Sequence, residues 1–376
     1  MSKTLQDYAI LINDTIQSNE INHYITTDNM CQNLGGIDTF KNINIPQGKV
    51  RSFQKDDILL SNIRLYFRKV YRAKQKGGCS SDVLVFRAKN IDSATLFAIL
   101  SSQIFTDYAC SGSQGSKMPR GNKTHMMDFK IPTINFTIAK IFNSIQNKIE
   151  NNHKINELLH KILELLYEQY FVRFDFLDEN NKPYQTSGGK MKFSKELNRL
   201  IPSGWSVRFL NHKIVSTYQP KTISKTLLND SYSYSVYGGG GIIGRFTEYN
   251  HEQSEFIISC RGQCGISYLT LPKSWITGNA MVIRPTKSYT SKTYLYHTIK
   301  KYKLTNYITG SVQPQITRQN LSTMPILIPK RKTLNKWNNI SSLLWNLIHN
   351  NMQSTQTLTA LRDFLLPLLL KQQVKP

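Results

Sequence analysis

Apolar positions in Thr137–Arg173 recur at steps of three and four: Ile138, Ile141, Ile145, Ile149, Leu159, Ile162, Leu166 and Tyr170, with Asn152 the polar member of the series. No Pro or Gly interrupts the stretch, so the pattern predicts one helix. At 1.5 Å per residue it would run on the order of 50 Å, too long for the inside of a compact domain and suited to a spacer or coiled coil. Thr333–Leu370 repeats the pattern with Leu334, Trp337, Ile340, Leu344, Leu347, Leu358, Leu361 and Leu365. Even the polar interruption recurs, Ile149-Glu150-Asn151-Asn152 being answered by Ile348-His349-Asn350-Asn351. Each stripe needs an apolar partner. Packed on each other, the two helices would run antiparallel; the simpler alternative is two core-facing amphipathic helices. Doubled leucines (Leu158-Leu159 with Leu165-Leu166, and Leu365-Leu366 with Leu368-Leu369-Leu370) add apolar character on a second side.

Between these helices the pattern shortens. Ile58-Leu59-Leu60, Val83-Leu84-Val85-Phe86, Phe256-Ile257-Ile258 and Ala280-Met281-Val282-Ile283 are apolar runs bounded by polar residues or Gly, which read as strands. Ser93–Gln103 and Ser291–Tyr302 read as shorter helices. These runs fall into an internal repeat with a period of about 200 residues, far longer than a solenoid unit. Asp57–Arg64, Cys79–Arg87 and Gly115–Pro132 are followed in the same order and spacing by Phe256–Gly262, Thr277–Pro285 and Gly310–Pro329. In each half a Gly-Ser pair opens a polar loop containing Pro and Arg, which runs into an Ile-Pro stop and then a helix. The expected fold class is α+β, without a doubly wound βαβ rhythm. Two pseudo-symmetric mixed α/β domains, 1–134 and 176–330, would be separated by two long antiparallel helices, 135–175 and 331–376, forming a coiled-coil spacer.

Charge then narrows the function. Lys and Arg total 48 against 24 Asp and Glu, a formal net charge of +24 over 376 residues. Such an excess calls for a polyanion, and nucleic acid leads because Lys and Arg that neutralise phosphates supply the bulk of non-specific affinity. An anionic membrane is the rival, weakened by the lack of any 18-residue apolar run or lipidation signal. The opening residues lack a signal-peptide pattern, and the five scattered cysteines, Cys31, Cys79, Cys110, Cys260 and Cys264, suit a reducing cytoplasm.

The candidate contacts follow from side-chain chemistry. Arg51–Lys76 interleaves Arg51, Lys55, Arg64, Arg68, Lys69, Arg72, Lys74 and Lys76 with Tyr66, Phe67 and Tyr71, either a solvated strand pair or a phosphate-facing surface. Arg64, Arg68 and Lys69 are the choices there. The polar loops Ser116–Lys123 and Ser311–Gln319 carry Lys117, Arg120, Gln313, Gln315 and Arg318, types that pair with guanine or adenine in the major groove. Gly238–Gly241 lacks the Lys-Ser/Thr of a phosphate loop and reads as a flexible loop that lets backbone approach a partner or turns a hairpin. Tyr234, Tyr237 and Arg245 beside it could face a nucleic acid. Cys260 and Cys264 are spaced CxxxC with no second pair, which argues against zinc and leaves Arg261 as the better candidate. His153, His160 and His349 sit among polar helical neighbours and are expected to be solvated.

These stretches resemble the specificity subunits of type I restriction-modification systems. FQKDDILLSNIRLYFRKVYRA, GGCSSDVLVFR and GSKMPRGNKTHMMDFKIP look like that family's first target-recognition domain. WSVRFLNHKI, YSVYGGGGIIGRF, ISCRGQCGISYL, TGNAMVIRP and TGSVQPQITRQNLSTMPILIP look like the second, while INELLHKILELLYEQYFVRFDF and TLTALRDFLLPLLL are similar to the central and distal conserved regions. The resemblance covers nearly the whole chain, with Leu5–Asn29 the weakest part. It implies a non-catalytic DNA reader. Each domain would read one half of a split, asymmetric double-stranded target, and the helices would set the gap. The helices would also dock two modification (methyltransferase) subunits, which bring S-adenosylmethionine and flip adenine out of the duplex. Restriction subunits would supply ATP- and Mg-dependent translocation and cleavage, so no cofactor or metal would belong to this chain. The sequence carries no Asn/Asp-Pro-Pro-aromatic tetrapeptide, no Walker lysine and no Pro-Asp…Glu-x-Lys set, in keeping with a chain that is not an enzyme. Two alternatives stay open: a self-contained DNA-modifying or DNA-cleaving enzyme, and a stand-alone binder whose helical stripes are paired entirely within the chain.

Overall fold

A computed structural model of the chain describes residues 3–38, 41, 43–131, 133–229, 232–311 and 313–370. Pro132, half of the first Ile-Pro stop, lies outside them. The chain divides into two compact units, Met1–Ile155 with Asn351–Pro376, and Asn156–Asn350. Both units mix helices and sheets, so the α+β class holds. The units cut across both long helices, whereas the repeat had suggested four segments bounded at residues 134, 175 and 330.

Among the described residues of unit 1, eight strands follow the chain: β1 (Ala9–Ile12), β2 (Thr15–Gln17), β3 (Tyr24–Ile25), β4 (Lys49–Phe53), β5 (Ile58–Ser61), β6 (Val70–Arg72), β7 (Gly77–Cys79) and β8 (Val83–Ala88). One sheet is antiparallel in the order β1-β8-β5-β6; the other runs β2-β4-β7-β3, with β3 parallel to β7. Helix α1 (Leu5–Tyr8) precedes β1, and α2 (Ser93–Leu100), α3 (Gln103–Ser111) and α4 (Lys123–Met127) follow β8. Asp92 caps α2 by accepting from the Thr95 amide, as expected of an Asx residue at an N-cap.

The first long helix, α5 (Phe136–Tyr167), is opened by Asn135, whose side chain accepts from the Thr137 and Ile138 amides, and closes in a π-turn at Glu168–Val172. Its buried face in unit 1 is Ala139, Phe142, Ile145 and Ile149, while Ile141 is 40% exposed. The predicted stripe is therefore rotated. Phe142 turns toward α2, its ring 5.5 Å from Phe97, so the burying surface includes a globular core as well as a helix.

Unit 2 repeats the plan with β9 (Met191–Ser194), β10 (Arg199–Pro202), β11 (Ser206–Phe209), β12 (Val215–Tyr218), β13 (Tyr234–Gly238), β14 (Gly241–Phe246), β15 (Phe256–Ser259), β16 (Ser267–Leu269), β17 (Trp275–Ile276), β18 (Ala280–Pro285), α6 (Lys292–Lys300), β19 (Ile308–Thr309), β20 (Gln315–Ile316), α7 (Arg318–Ser322) and β21 (Pro325–Ile328). The antiparallel order β12-β18-β15-β16 answers β1-β8-β5-β6 strand for strand, and β14-β13-β17 forms the second sheet. The second long helix, α8 (Arg331–Leu365), ends where Pro367 enters a 3-10 turn.

The long helices pack antiparallel in each unit. In unit 1 Asn152 donates to Thr355 (3.1 Å) and buried Arg362 donates to Gln146 (3.1 Å); in unit 2 Asn156 donates to the Ile348 carbonyl (3.2 Å) and His160 meets Trp345 edge-on at 5.0 Å. His160 and His349 are therefore half-buried against Trp345 rather than solvated, because the polar neighbours in sequence lie on the other face; His153 is exposed.

A second correspondence ties the repeat together. Arg87 at the end of β8 clamps buried Asp57 with two hydrogen bonds (2.7 and 2.8 Å), and Arg284 at the end of β18 holds Glu255 (3.0 and 2.6 Å). Asp57 also accepts from the Gln54 amide, so its carboxylate fixes both the strand and the turn before it. Asp57→Ala should cost roughly 2–3 kcal/mol by stranding a half-buried guanidinium, read as a lower urea midpoint by circular dichroism.

Candidate nucleic-acid interface

The polar loops singled out from sequence meet the turn that follows the first central strand, and they do so at register-equivalent places in both units. In unit 1, Ile63 bridges Arg120, three residues after Leu60; in unit 2, Arg261 bridges Gln315, three residues after Ile258. Leu60 pairs with Val70 and Ile258 with Ser267, so the two turns are anchored alike.

In unit 1 the Arg64 amide donates to the Pro119 carbonyl (2.9 Å) and its guanidinium to the Lys117 carbonyl (3.3 Å). Lys117 is exposed, and exposed Arg120 pairs with Asp82 at 3.0 Å. These three predicted residues are thus gathered on one surface. Arg68 and Lys69 are tied inward: Arg68 donates to the Ser101 carbonyl (2.9 Å) and Lys69 to the Thr27 carbonyl (2.6 Å), with burial pulling both pKa values below their ordinary range. Other cations of Arg51–Lys76 also have partners in the fold, Arg72 with Asp56 and Lys74 with Glu150.

Arg64 and Arg68 flank a 3-10 turn, Leu65–Phe67, and both are left-handed, at φ 50° and 48°. For a residue with a Cβ that conformation costs about 1–2 kcal/mol. In unit 2 the positions four after Ile258 and two before Ser267 are Gly262 (φ 75°) and Gly265 (φ 91°), which adopt it freely.

Unit 2 assembles Arg261, Gln313 and Gln315, all exposed, where the Ile316 amide donates to the Cys260 carbonyl and the Cys264 thiol to the Pro314 carbonyl. Arg318 is exposed in the first turn of α7, whose N-cap Thr317 accepts from the Asn320 amide. The Gly238–Gly241 turn lies against the same loop: a Cβ on Gly239 would sit 2.7 Å from the Arg261 carbonyl oxygen. Arg245 donates to the Tyr232 and Ser233 carbonyls, and Tyr234 packs edge-on against Tyr249. Tyr237 departs from the expectation. It is buried in the core of unit 2, its hydroxyl accepts from the Leu271 amide, and burial pushes its pKa up to about 12. β13 is the central strand of its sheet, paired with β14 and β17, and every residue from Ser235 to Gly238 is buried, which carries Tyr237 into the core.

The sequence reading noted Tyr66 among the aromatics of Arg51–Lys76 but chose neither it nor Met118 as a contact; each is 53% exposed, beside the Arg64–Lys117 contact. It also did not separate the inner and outer faces of the long helices. In unit 2, Leu158, Ile162 and Leu165 on α5 are 58, 44 and 60% exposed, and Ile340, Leu343 and Leu347 on α8 are 37, 61 and 45% exposed. Spacings of three and four put each set on one helix face. No helix among the described residues is long and apolar enough to cross a membrane.

A two-unit α+β chain with matched polar loops is the class that fold and site define. Residues 202–361 match the family model described as type I restriction modification DNA specificity domain. Over 310 residues the chain is 22% identical to the type I restriction enzyme MjaIX specificity subunit of Methanocaldococcus jannaschii, covering 72% of this chain and 67% of that protein. The type I restriction-modification S subunit of M. genitalium shares the fold, with a TM-score of 0.64 and 15% identity over 100% of this chain and 96% of that one. The resemblance to type I restriction-modification specificity subunits drawn from the motifs therefore holds: residues 202–361 carry the specificity domain, a specificity subunit is a relative in sequence, and an S subunit shares the fold.

Proposed function

We propose that this chain reads a split, asymmetric double-stranded DNA target, one half with each unit, and positions methyltransferase and restriction subunits on it. The observation that carries the reading is the register-equivalent loop pair, Ile63 with Arg120 and Arg261 with Gln315, which presents groove-reading side chains from the same place in two related folds. The long antiparallel helices act as the spacer between the two readers, domains 1–134 and 176–330. The exposed stripes of α5 and α8 are docking faces for two modification subunits, and they favour this reading over a stand-alone binder, whose stripes would be paired within the chain. S-adenosylmethionine, ATP and Mg belong to the partner subunits, the chain has no catalytic role, and the assembly works in the cytoplasm.

The test is the methylated-adenine motif in DNA from cells expressing the chain with its neighbouring methyltransferase, compared with cells lacking only this chain. A split motif that disappears with the chain is the expected result; methylation unchanged by its removal overturns the reading. Arg64→Ala and Arg318→Ala should each weaken binding by about 1–3 kcal/mol and relax one target position. Unchanged affinity and motif in both would remove the two arginines from the interface.

A further inference from the structure

We propose that Tyr66 and Met118 form an apolar ridge with which unit 1 packs on base edges and ring faces of its DNA half-site, so that the two units read DNA by different chemistry. The inference rests on the assignment of the loop pair to DNA and names how one half of it works.

The turn between β5 and β6 needs left-handed backbone at two places, and unit 2 meets the same need with Gly262 and Gly265. Unit 1 accepts the strain of arginine at both. Strained non-glycine residues persist where the surroundings over-determine them, and they cluster at functional sites. Here the surroundings do so. Arg64 holds the carbonyls of Lys117 and Pro119, Arg68 holds that of Ser101, and the Asn33 and Leu34 amides donate to the Phe67 and Arg68 carbonyls. Asn33 and Leu34 are themselves left-handed, so four such residues lock one turn.

Leu65 is sunk in the core, and Phe67 meets the Tyr66 ring edge-on at 4.7 Å. That leaves Tyr66 as the crest of a rigid turn, with Met118 raised on the facing loop beside exposed Lys117. An exposed aromatic and a methionine flanked by cations suit a duplex: phosphates meet the cations, and apolar groups meet thymine methyls or the faces of an opened base step. Unit 2 carries Gln263 and Cys264 on the equivalent turn and Gln313 and Gln315 on the facing loop, side chains that read by hydrogen bonds. Beside its own place at the interface, Arg64 positions the ridge by holding the Lys117 and Pro119 carbonyls.

Once methylation mapping gives the target, the full chain with its methyltransferase partner is titrated with that duplex and with unrelated DNA. Tyr66→Ala should weaken the specific site about tenfold and leave unrelated DNA and the salt slope unchanged, with Tyr66→Phe restoring most of the loss. Uracil in place of thymine, scanned through the half-site, tests methyl contact, and 2-aminopurine fluorescence tests unstacking. One of the two should respond in wild type and fall silent in Tyr66→Ala. Lys117→Ala, run beside it, should weaken all DNA and lower the salt slope by about one. If Lys117→Ala acts while Tyr66→Ala and Met118→Ala match wild type in every readout, the ridge is overturned and the DNA assignment stands. If replacing residues 115–120 by Gly and Ser also changes nothing, the DNA assignment of the loop pair fails with it.

Discussion

Trp337→Ala should lower the stability of unit 2 by about 3–5 kcal/mol, the range for emptying a buried aromatic site. Trp337 is 1% exposed in the first turns of α8 and meets three rings edge-on: His297 at 5.3 Å, Phe171 at 5.5 Å and Tyr167 at 5.8 Å. These rings come from α5 with its π-turn and from α6, so one side chain joins both long helices to the globular part of unit 2. Alanine suits a helix better than tryptophan, and that small gain cannot offset a cavity of this size. The indole N–H has no hydrogen-bond partner among the described residues, so Trp337→Phe gives up volume alone and should cost about 1–2 kcal/mol. Urea unfolding followed by tryptophan fluorescence isolates this unit, because all four tryptophans, Trp205, Trp275, Trp337 and Trp345, lie within it. A midpoint unmoved by Trp337→Ala would mean that the ring cluster does not hold helix to domain.

The long helices were legible because their signal is local: thirty-odd residues of three- and four-step spacing without Pro or Gly leave little alternative. Which face turns inward was less so. Ile141 and Ile162 fit the stripe as well as any residue yet lie outside, while small Ala139 and bulky Phe142 and Leu163 are buried. An α-helix that packs on a globular core at one level and on a long helix at another does not keep one seam, and excess leucines disguise the choice. The repeat was legible from three blocks in order, and the loops it matched are the loops the fold brings together. What escaped was what depends on backbone conformation or on distant pairing. A left-handed arginine has no sequence signature, since that conformation is what glycine or asparagine usually announces. The Arg87–Asp57 and Arg284–Glu255 clamps span about thirty residues each, and only the strand register makes them neighbours. Arg68 and Lys69 looked like phosphate contacts for the same reason: composition gives the charge of a segment but not the carbonyls waiting for it.

Acidification should destabilise unit 2 between neutral pH and pH 4, before most carboxylates titrate. His297 is 3% exposed, stacked on Tyr167 and enclosed by Tyr296, Trp337 and Trp345, and its Nε2 has no hydrogen-bond partner among the described residues. Burial, reinforced by Lys300, His160 and Lys301, holds its pKa down at about 3. Burial, with Lys292 and His160, likewise brings His349 to about 4. Glu164 faces His160 and pulls the opposite way on that ring, whose pKa burial and Lys300 nonetheless lower. The sign follows from proton counts. The unfolded chain takes up protons at these histidines as pH falls through about 6.5 and the folded chain does not, so stability is fully present above that value and drains away until the folded pKa values are reached. At pH 5 each histidine has lost roughly 1.5 units, worth about 2 kcal/mol, so the pair removes about 4 kcal/mol from a domain whose whole stability is on the order of 5–15. Tryptophan fluorescence in urea at pH 7 and pH 5 reads this directly in unit 2. The double variant His297→Gln, His349→Gln should start out less stable at pH 7 and change much less between the two pH values. A double variant as acid-sensitive as the wild type would move the cause away from these rings to carboxylates elsewhere in the unit.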